Sequence, residues 1–154
     1  MIGRIFRKVK TILFKLFNWR IFKTAILYDV PRVYYKKRLY LEDNVAFNNN
    51  VFVHAVGGVT IKENCILSVG TTILSTGENI DEWVQRIPGE NIHVNKSVII
   101  GRNVWICANA TICAGVSIAD NCVIAAGSVV TKSLEKSGAL YAGVPAKYIR
   151  DLEK

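Results

Sequence analysis

The chain has 154 residues, 51% of them hydrophobic, and a formal net charge of +8 from 20 Lys and Arg against 12 Asp and Glu. That is one domain plus appendages, and its charge is uneven: residues 1–40 hold eleven bases and one acid, Asp29, whereas residues 41–154 hold nine bases and eleven acids. The body is thus slightly acidic and lacks the basic face of a nucleic-acid binder, and with two histidines and no CxxC spacing a three-histidine zinc site is excluded.

Residues 1–27 predict a basic amphipathic helix. Ile2, Ile5, Phe6, Val9, Ile12, Leu13, Leu16 and Phe17 recur on one stripe, with Arg4, Arg7, Lys8 and Lys15 largely opposite. Charges recur too often for a membrane span, which needs ~20 apolar residues in a row, and no small-residue cleavage site follows. Two uses stay open: the helix lies on an anionic membrane surface with Phe14, Phe17 and Trp19 as anchors, or it packs its apolar stripe on the body as a cap. Tyr34-Tyr-Lys-Lys-Arg reads as a solvated entry strand.

From residue 41 a period of six takes over. Leu41, Phe47 and Val53 form one register and Ile61, Leu67 and Ile73 another, separated by a gain of two residues at Ala55-Val-Gly-Gly, where paired glycines absorb an insertion. The step from Ile73 to Ile100 is not a multiple of six, so a loop of roughly twenty residues leaves near Ser75 and returns near Ser97; long loops inside compact repeats are usually functional. Then Ile100, Ile106, Ile112, Ile118, Ile124 and Val130 run six apart without a break. Short strands meeting at tight corners, with one large aliphatic inside each face and a small residue beside it, explain that period as a parallel β-helix. Such a coil must cap or pair its ends and flanks, so an oligomer is expected. Cys65, Cys107, Cys113 and Cys122 all occupy small-residue slots and read as small buried hydrophobes, which fits a reducing, cytoplasmic setting.

Ile100-Gly-Arg-Asn-Val-Trp-Ile, then Ala125-Ala-Gly-Ser-Val-Val-Thr-Lys, then Ala142-Gly-Val-Pro-Ala-Lys-Tyr-Ile-Arg resemble the hexapeptide-repeat acyltransferases, most nearly the galactoside, maltose and surface-polysaccharide O-acetyltransferases. The resemblance spans roughly residues 41–151. It implies an all-β fold, a left-handed parallel β-helix, a homotrimer, and acetyl-CoA held in the groove between two subunits. Carried over by position, Trp105 and Ala108 form the wall of the pantetheine groove, Ala126 is a backbone contact, Thr131 and Lys132 continue the path, and Lys147 and Arg150 meet the nucleotide phosphates. Asn48 and Asn50 fall where the family holds acceptor hydroxyls, with Asn79 a third candidate, although asparagine runs are also common at corners. The expected parts are 1–40, helix and entry segment; 41–134, the β-helix with its loop at 75–97; and 135–154, a tail contributing to the CoA site.

The acid–base residue departs from the family pattern. O-acetylation needs a base for the attacking hydroxyl, and the family places a His at the end of a Thr-Gly-type motif. Here Ser75-Thr-Gly-Glu-Asn puts Glu78 there, and a carboxylate is the poorer base near neutrality unless burial raises it. The two imidazoles complete the set: His93, on the return of the loop, where it can fold over the groove, and His54, pointing away from the core because Val53 takes the inward slot. The expected activity is acetyl transfer from acetyl-CoA to a hydroxyl of a sugar in surface-polysaccharide biosynthesis, with no metal. The setting is cytoplasmic, and peripheral on the inner membrane face if the helix meets lipid. The alternatives are N-acetylation of an amino sugar and a non-catalytic binding or structural trimer.

Overall fold

The computed structural model describes residues 2–153. Met1 and the side chains of Ile2 and Arg4, which the sequence places in the N-terminal stripe, lie outside the described residues. Helix α1 spans Ile2–Phe17 and α2 spans Trp19–Phe22. Between them Asn18 donates both its backbone N–H, at 3.0 Å, and its side-chain amide, at 2.8 Å, to the Phe14 carbonyl at the end of α1. The helical segment stops short of Leu27 because Ile26–Leu27 pairs in parallel with Ala46–Phe47. The first coil is therefore under way ahead of Leu41.

Three parallel faces form the coil. The first stacks Ile26–Leu27, Ala46–Phe47, Ile66–Leu67, Trp105–Ile106, Val123–Ile124 and Ala139–Ala142, with Lys147–Asp151 added antiparallel outside. The second stacks Arg32–Tyr34, Phe52–His54, Thr72–Leu74, Thr111–Ile112 and Val129–Val130, and the third Leu39–Leu41, Val59–Ile61, Val98–Ile100 and Ser117–Ile118. Each inward aliphatic meets its counterpart one turn away: Leu67 lies over Ile106 and Ile106 over Ile124, Ile73 over Ile112 and Ile112 over Val130, Ile61 over Ile100. All are buried. The hexapeptide's polar slot is a corner: Asn44, Asn50, Asn64, Asn103, Asn109 and Asn121 all adopt left-handed backbone angles, which asparagine tolerates better than other L-residues. Asn50 thus has a purely conformational reason to be where it is.

From Ile106 to Ile124 one turn takes eighteen residues, but from Leu27 to Phe47 and from Val33 to Val53 it takes twenty. The extra pair falls at the same corner each time, between the second and third faces. At the lowest level it is the turn around Lys36–Arg38, and at the next Ala55–Gly58. At the third level that corner opens into the whole excursion from Ser75 to Ser97, whose stem is an antiparallel hairpin of Thr76–Glu78 and His93–Asn95. The levels are tied together. Ala55 N–H donates to the Tyr34 carbonyl, Ser75 Oγ donates to the His54 carbonyl at 2.7 Å and accepts from Gly57 N–H at 2.8 Å, and Arg38 donates to the Val56 carbonyl. Tyr35 enters the lowest corner at φ 57°, ψ 47°, a conformation that costs a residue with Cβ about 1–2 kcal/mol.

Gly57 is the tightest point of this stack: a Cβ there would stand 2.3 Å from the Ser75 carbonyl oxygen and 2.8 Å from the Lys96 amide nitrogen, both backbone. Gly57→Ala should therefore lower stability by about 1–3 kcal/mol in denaturant melts. Gly77→Ala, where nothing lies within 4 Å of the added carbon, should be close to neutral. Equal stability of the two variants would mean the corner yields freely.

Candidate active site at the widened corner

Antiparallel pairing sets His93 opposite Glu78, Val94 opposite Gly77 and Asn95 opposite Thr76. Because strand side chains alternate, the hairpin has two different faces. Thr76, Glu78, His93 and Asn95 face a cavity of about 460 Å³ that Tyr35, His54 and Asn91 also line. Val94 and Lys96 face a second cavity of about 710 Å³, walled by Leu74, Cys113, Ala114 and Thr131, and the Thr76–Glu78 strand borders both cavities.

In the first cavity His93 Nδ1 lies 2.8 Å from Glu78 Oε1. With Nδ1–H donating to the carboxylate, the ring is oriented and Nε2 is the nitrogen left to take a proton. His54, on the neighbouring strand, turns outward beside buried Val53, as the alternation requires. Its ring is 5.8 Å from that of Tyr34 in a stacked arrangement and meets the Tyr35 ring edge-on at 5.4 Å. Its Nδ1 is buried with no hydrogen-bond partner. All three acid–base candidates, His93, His54 and Glu78, thus line one cavity.

The remaining positions separate into groups. Trp105 sits outward on the first face, 48% exposed, its indole N–H donating to Ser68 Oγ at 3.0 Å. Ala108 and Ala126 belong to one column at the corner between the first and second faces, where Gly127 N–H donates to the Ala108 carbonyl. Thr131 ends the second face at the widened corner, on the wall of the larger cavity, and Lys132 follows it, exposed. Lys147 and Arg150 are exposed on the outer antiparallel strand, where Arg150 donates to the Asp151 carbonyl. Within one chain, then, Thr131 and Trp105 lie on different corners.

The candidate acceptor asparagines stand apart from the hairpin's polar face. Asn48 donates to the Leu67 carbonyl at 3.1 Å and lines a cavity with Arg7, Lys8 and Tyr28. Asn79 caps the short Ile80–Gln85 helix by accepting from Asp81 N–H. Tyr35, Asn91 and Asn95 were not singled out by sequence reasoning. A repeated step of eight, Val33 to Leu41 and Val53 to Ile61, was the signal that would have marked the lower corner as the upper one's twin.

The four cysteines are free thiols. Burial pushes Cys65 up to about 11, and the same desolvation raises Cys107, Cys113 and Cys122, so none is a reactive thiolate. Among the described residues no group of three or more His, Cys, Asp or Glu is arranged to hold a metal ion, and no helix is long and apolar enough to cross a membrane.

A family model for the bacterial transferase hexapeptide, six repeats, matches residues 97–132. No curated protein matches the chain. Among solved structures, a maltose O-acetyltransferase from Clostridium difficile 630 superposes with a TM-score of 0.75 at 30% identity, covering 84% of this chain and 67% of that one. A hexapeptide-repeat acetyltransferase from Vibrio cholerae O1 biovar eltor, complexed with acetyl-CoA, gives 0.73 at 26% identity, covering 85% and 72%. A galactoside acetyltransferase in complex with coenzyme A gives 0.74 at 30% identity, covering 84% and 64%. With its hexapeptide coil, its hairpin at the widened corner and these relatives, the chain belongs to the hexapeptide-repeat acyltransferases, left-handed β-helix enzymes that use acetyl-CoA.

Proposed function

We propose that the protein is an O-acetyltransferase that moves acetyl from acetyl-CoA to a hydroxyl of a surface-polysaccharide sugar, with His93 as the base and Glu78 as the group that orients it. The 2.8 Å contact between His93 Nδ1 and Glu78 Oε1 carries this reading. His93 Nε2 accepts the hydroxyl proton as the sugar oxygen attacks the thioester carbonyl; the C–S bond then breaks, and the imidazolium returns the proton to the departing CoA sulfur. The likeness to a maltose O-acetyltransferase, at 30% identity, favours a hydroxyl acceptor over an amine.

The division of the donor residues between two corners supports a trimer in which acetyl-CoA runs in a groove shared by two copies, with Trp105, Ala108 and Ala126 from one corner and Thr131 and Lys132 from the other. Lys147 and Arg150 supply cations for the phosphates. Trp105→Ala and Arg150→Ala should each raise the KM for acetyl-CoA, the charged contact by an amount equivalent to roughly 1.5–3 kcal/mol. Unchanged cofactor affinity in both would remove this placement.

His93→Asn should lower kcat by ~10²–10⁴ while acetyl-CoA still binds, the usual worth of a positioned base. Glu78→Gln should lower kcat by less, since it loosens the ring without removing it. If His54→Asn abolished turnover while His93→Asn stayed active, the base would be His54 instead.

The same reading places the enzyme on an anionic membrane surface, where a lipid-linked acceptor is concentrated. The support is the outward-facing stripe of α1: Ile5, Phe6, Val9, Ile12, Leu13, Leu16 and Phe17 are all exposed, Phe17 at 86%. The helix is held to the coil by other residues, through the ring contacts Phe14–Phe22 at 5.0 Å and Phe22–Phe47 at 5.7 Å and through Lys15 donating to the Ala25 carbonyl at 2.8 Å. Replacing Phe6 and Phe17 by Ser should abolish sedimentation with phosphatidylserine vesicles and leave the melting temperature unchanged, and salt should weaken binding of the parent chain. Vesicle binding that survives both replacements would refute the membrane placement.

A further inference from the structure

Helix α1 meets the coil with its polar side. Thr11 is 8% exposed and Lys15 is half-buried, donating to the Ala25 carbonyl, whereas the apolar stripe from Ile5 to Phe17 faces outward. A surface helix of a soluble protein packs the other way round, apolar stripe inward. Only Phe14 breaks the pattern, its ring set against Phe22.

The contact between helix and coil is also incomplete. A cavity of about 400 Å³ lies between Arg7, Lys8 and Thr11 on the helix and Tyr28, Asn48 and Asn49 on the first turns of the coil. Among the described residues no Asp or Glu lines it, and neither Arg7 nor Lys8 has an ion-pair partner. Asp29, the one acid of residues 1–40, is taken up elsewhere, its carboxylate accepting from Val30 N–H at 2.8 Å and from the Asn49 amide at 3.4 Å. Thr11 donates its hydroxyl proton to the Lys8 carbonyl at 2.9 Å, and the Asn48 amide donates to the Leu67 carbonyl. The donors left over are the Arg7 guanidinium, the Lys8 ammonium and the Tyr28 hydroxyl. Two neighbouring cations without a counter-charge repel each other, and an anion held between them replaces that cost with charge-assisted hydrogen bonds.

We infer that this cavity binds a doubly charged lipid phosphate, the headgroup of a lipid in the leaflet on which α1 lies. The inference deepens the membrane placement proposed above and rests on it. With the apolar stripe at the acyl boundary, the opposite side of the helix stands about one helix diameter, ~10 Å, above the acyl chains. That is headgroup level, since the polar layer of a bilayer is ~5–8 Å deep on each side. Charge then selects among headgroups. A zwitterionic one carries an ammonium that the lining has no acid to receive, and a phosphodiester brings one negative charge to two cations. A phosphomonoester brings about −1.5 to −2 near pH 7 and three acceptor oxygens, which suits the two cations and the phenol.

The test separates this site from the diffuse attraction of any basic helix to any anionic surface. Phosphatidylcholine vesicles carrying phosphatidic acid would be compared with vesicles carrying phosphatidylglycerol, matched in measured surface potential and at constant ionic strength. The full chain should bind the phosphatidic acid vesicles about five- to tenfold more tightly. Arg7→Gln and Lys8→Gln should bring that ratio close to one. Lys10→Gln removes the same charge from an exposed position of the same helix that does not line the cavity, so it should weaken binding to both vesicles by up to about fivefold and keep the ratio. Glutamine is as good a helix former as lysine or arginine, so all three variants should melt with the parent. A parent ratio near one would overturn the site and leave the membrane placement standing, and so would a Lys10→Gln variant that loses the ratio as fully as Lys8→Gln. Calorimetry with dihexanoyl phosphatidic acid below its micelle concentration reads the site without a membrane, and glycerol 3-phosphate reports on a free phosphate. The short-chain lipid should bind at least tenfold more tightly than glycerol 3-phosphate, and Arg7→Gln should abolish its binding; equal affinity for the two would overturn the lipid assignment in favour of a soluble phosphate ester. Short-chain lipid bound through Arg7 by a protein that sediments with neither vesicle would keep the phosphate site and sink the membrane placement instead.

Discussion

A ladder in which every turn lies directly over the last fixes the number of residues along each face of this coil. Leu67, Ile106 and Ile124 stack on one face and Ile73, Ile112 and Val130 on the next, and a residue inserted within any of these strands would turn the aliphatic outward and break hydrogen bonds to both neighbouring turns. Extra chain is tolerated only where the faces meet. The protein has put its extra chain at one such meeting, three turns running: the Lys36–Arg38 turn, the glycine pair at residues 57 and 58, and the excursion from Ser75. The core's intolerance thus decides where polar side chains can gather, and Ser75 ties the excursion to the level below, its hydroxyl donating to the His54 carbonyl and accepting from Gly57 N–H.

The hairpin of that excursion separates two environments with three residues per strand. His93 and Asn95 line one cavity, Val94 and Lys96 line the other, and Thr76 and Glu78 border both. In the family pattern the imidazole belongs at the position Glu78 occupies. Antiparallel register sets His93 directly across from it, so an imidazole stands against the carboxylate. Under the function proposed above, the base has moved across the hairpin by about one strand spacing.

Much of the fold was legible because its signal is periodic. The unbroken series from Ile100 to Val130 dictates the coil, and the broken step after Ile73 dictates the excursion and its two ends. The glycine slip was also readable, and Gly57 is where a side chain would collide with backbone. The lower corner escaped notice because Tyr34-Tyr-Lys-Lys-Arg looks like any solvated strand until its eight-residue step is set beside the next one. The helix ran too long in the sequence reading because Ile26 and Leu27 extend an apolar stripe that, in the folded chain, belongs to a strand. The partnership of Glu78 with His93 depends on hairpin register across a long loop, which no local pattern encodes. The splitting of Trp105 from Thr131 depends on which corner each occupies, a property of the three-faced cross-section rather than of motif order.

Cys113 lines the larger cavity beside Thr131, one of the residues that the trimer proposed above gives to the donor path. A thiolate there would compete with the sugar for the acetyl group, capturing it by thioester exchange and stalling the enzyme as an acylated dead end. Burial raises the Cys113 thiol and so keeps it protonated and poorly nucleophilic. The small-residue slot that fits the coil's geometry thus also keeps a sulfur chemically silent at the one place where its reactivity would matter.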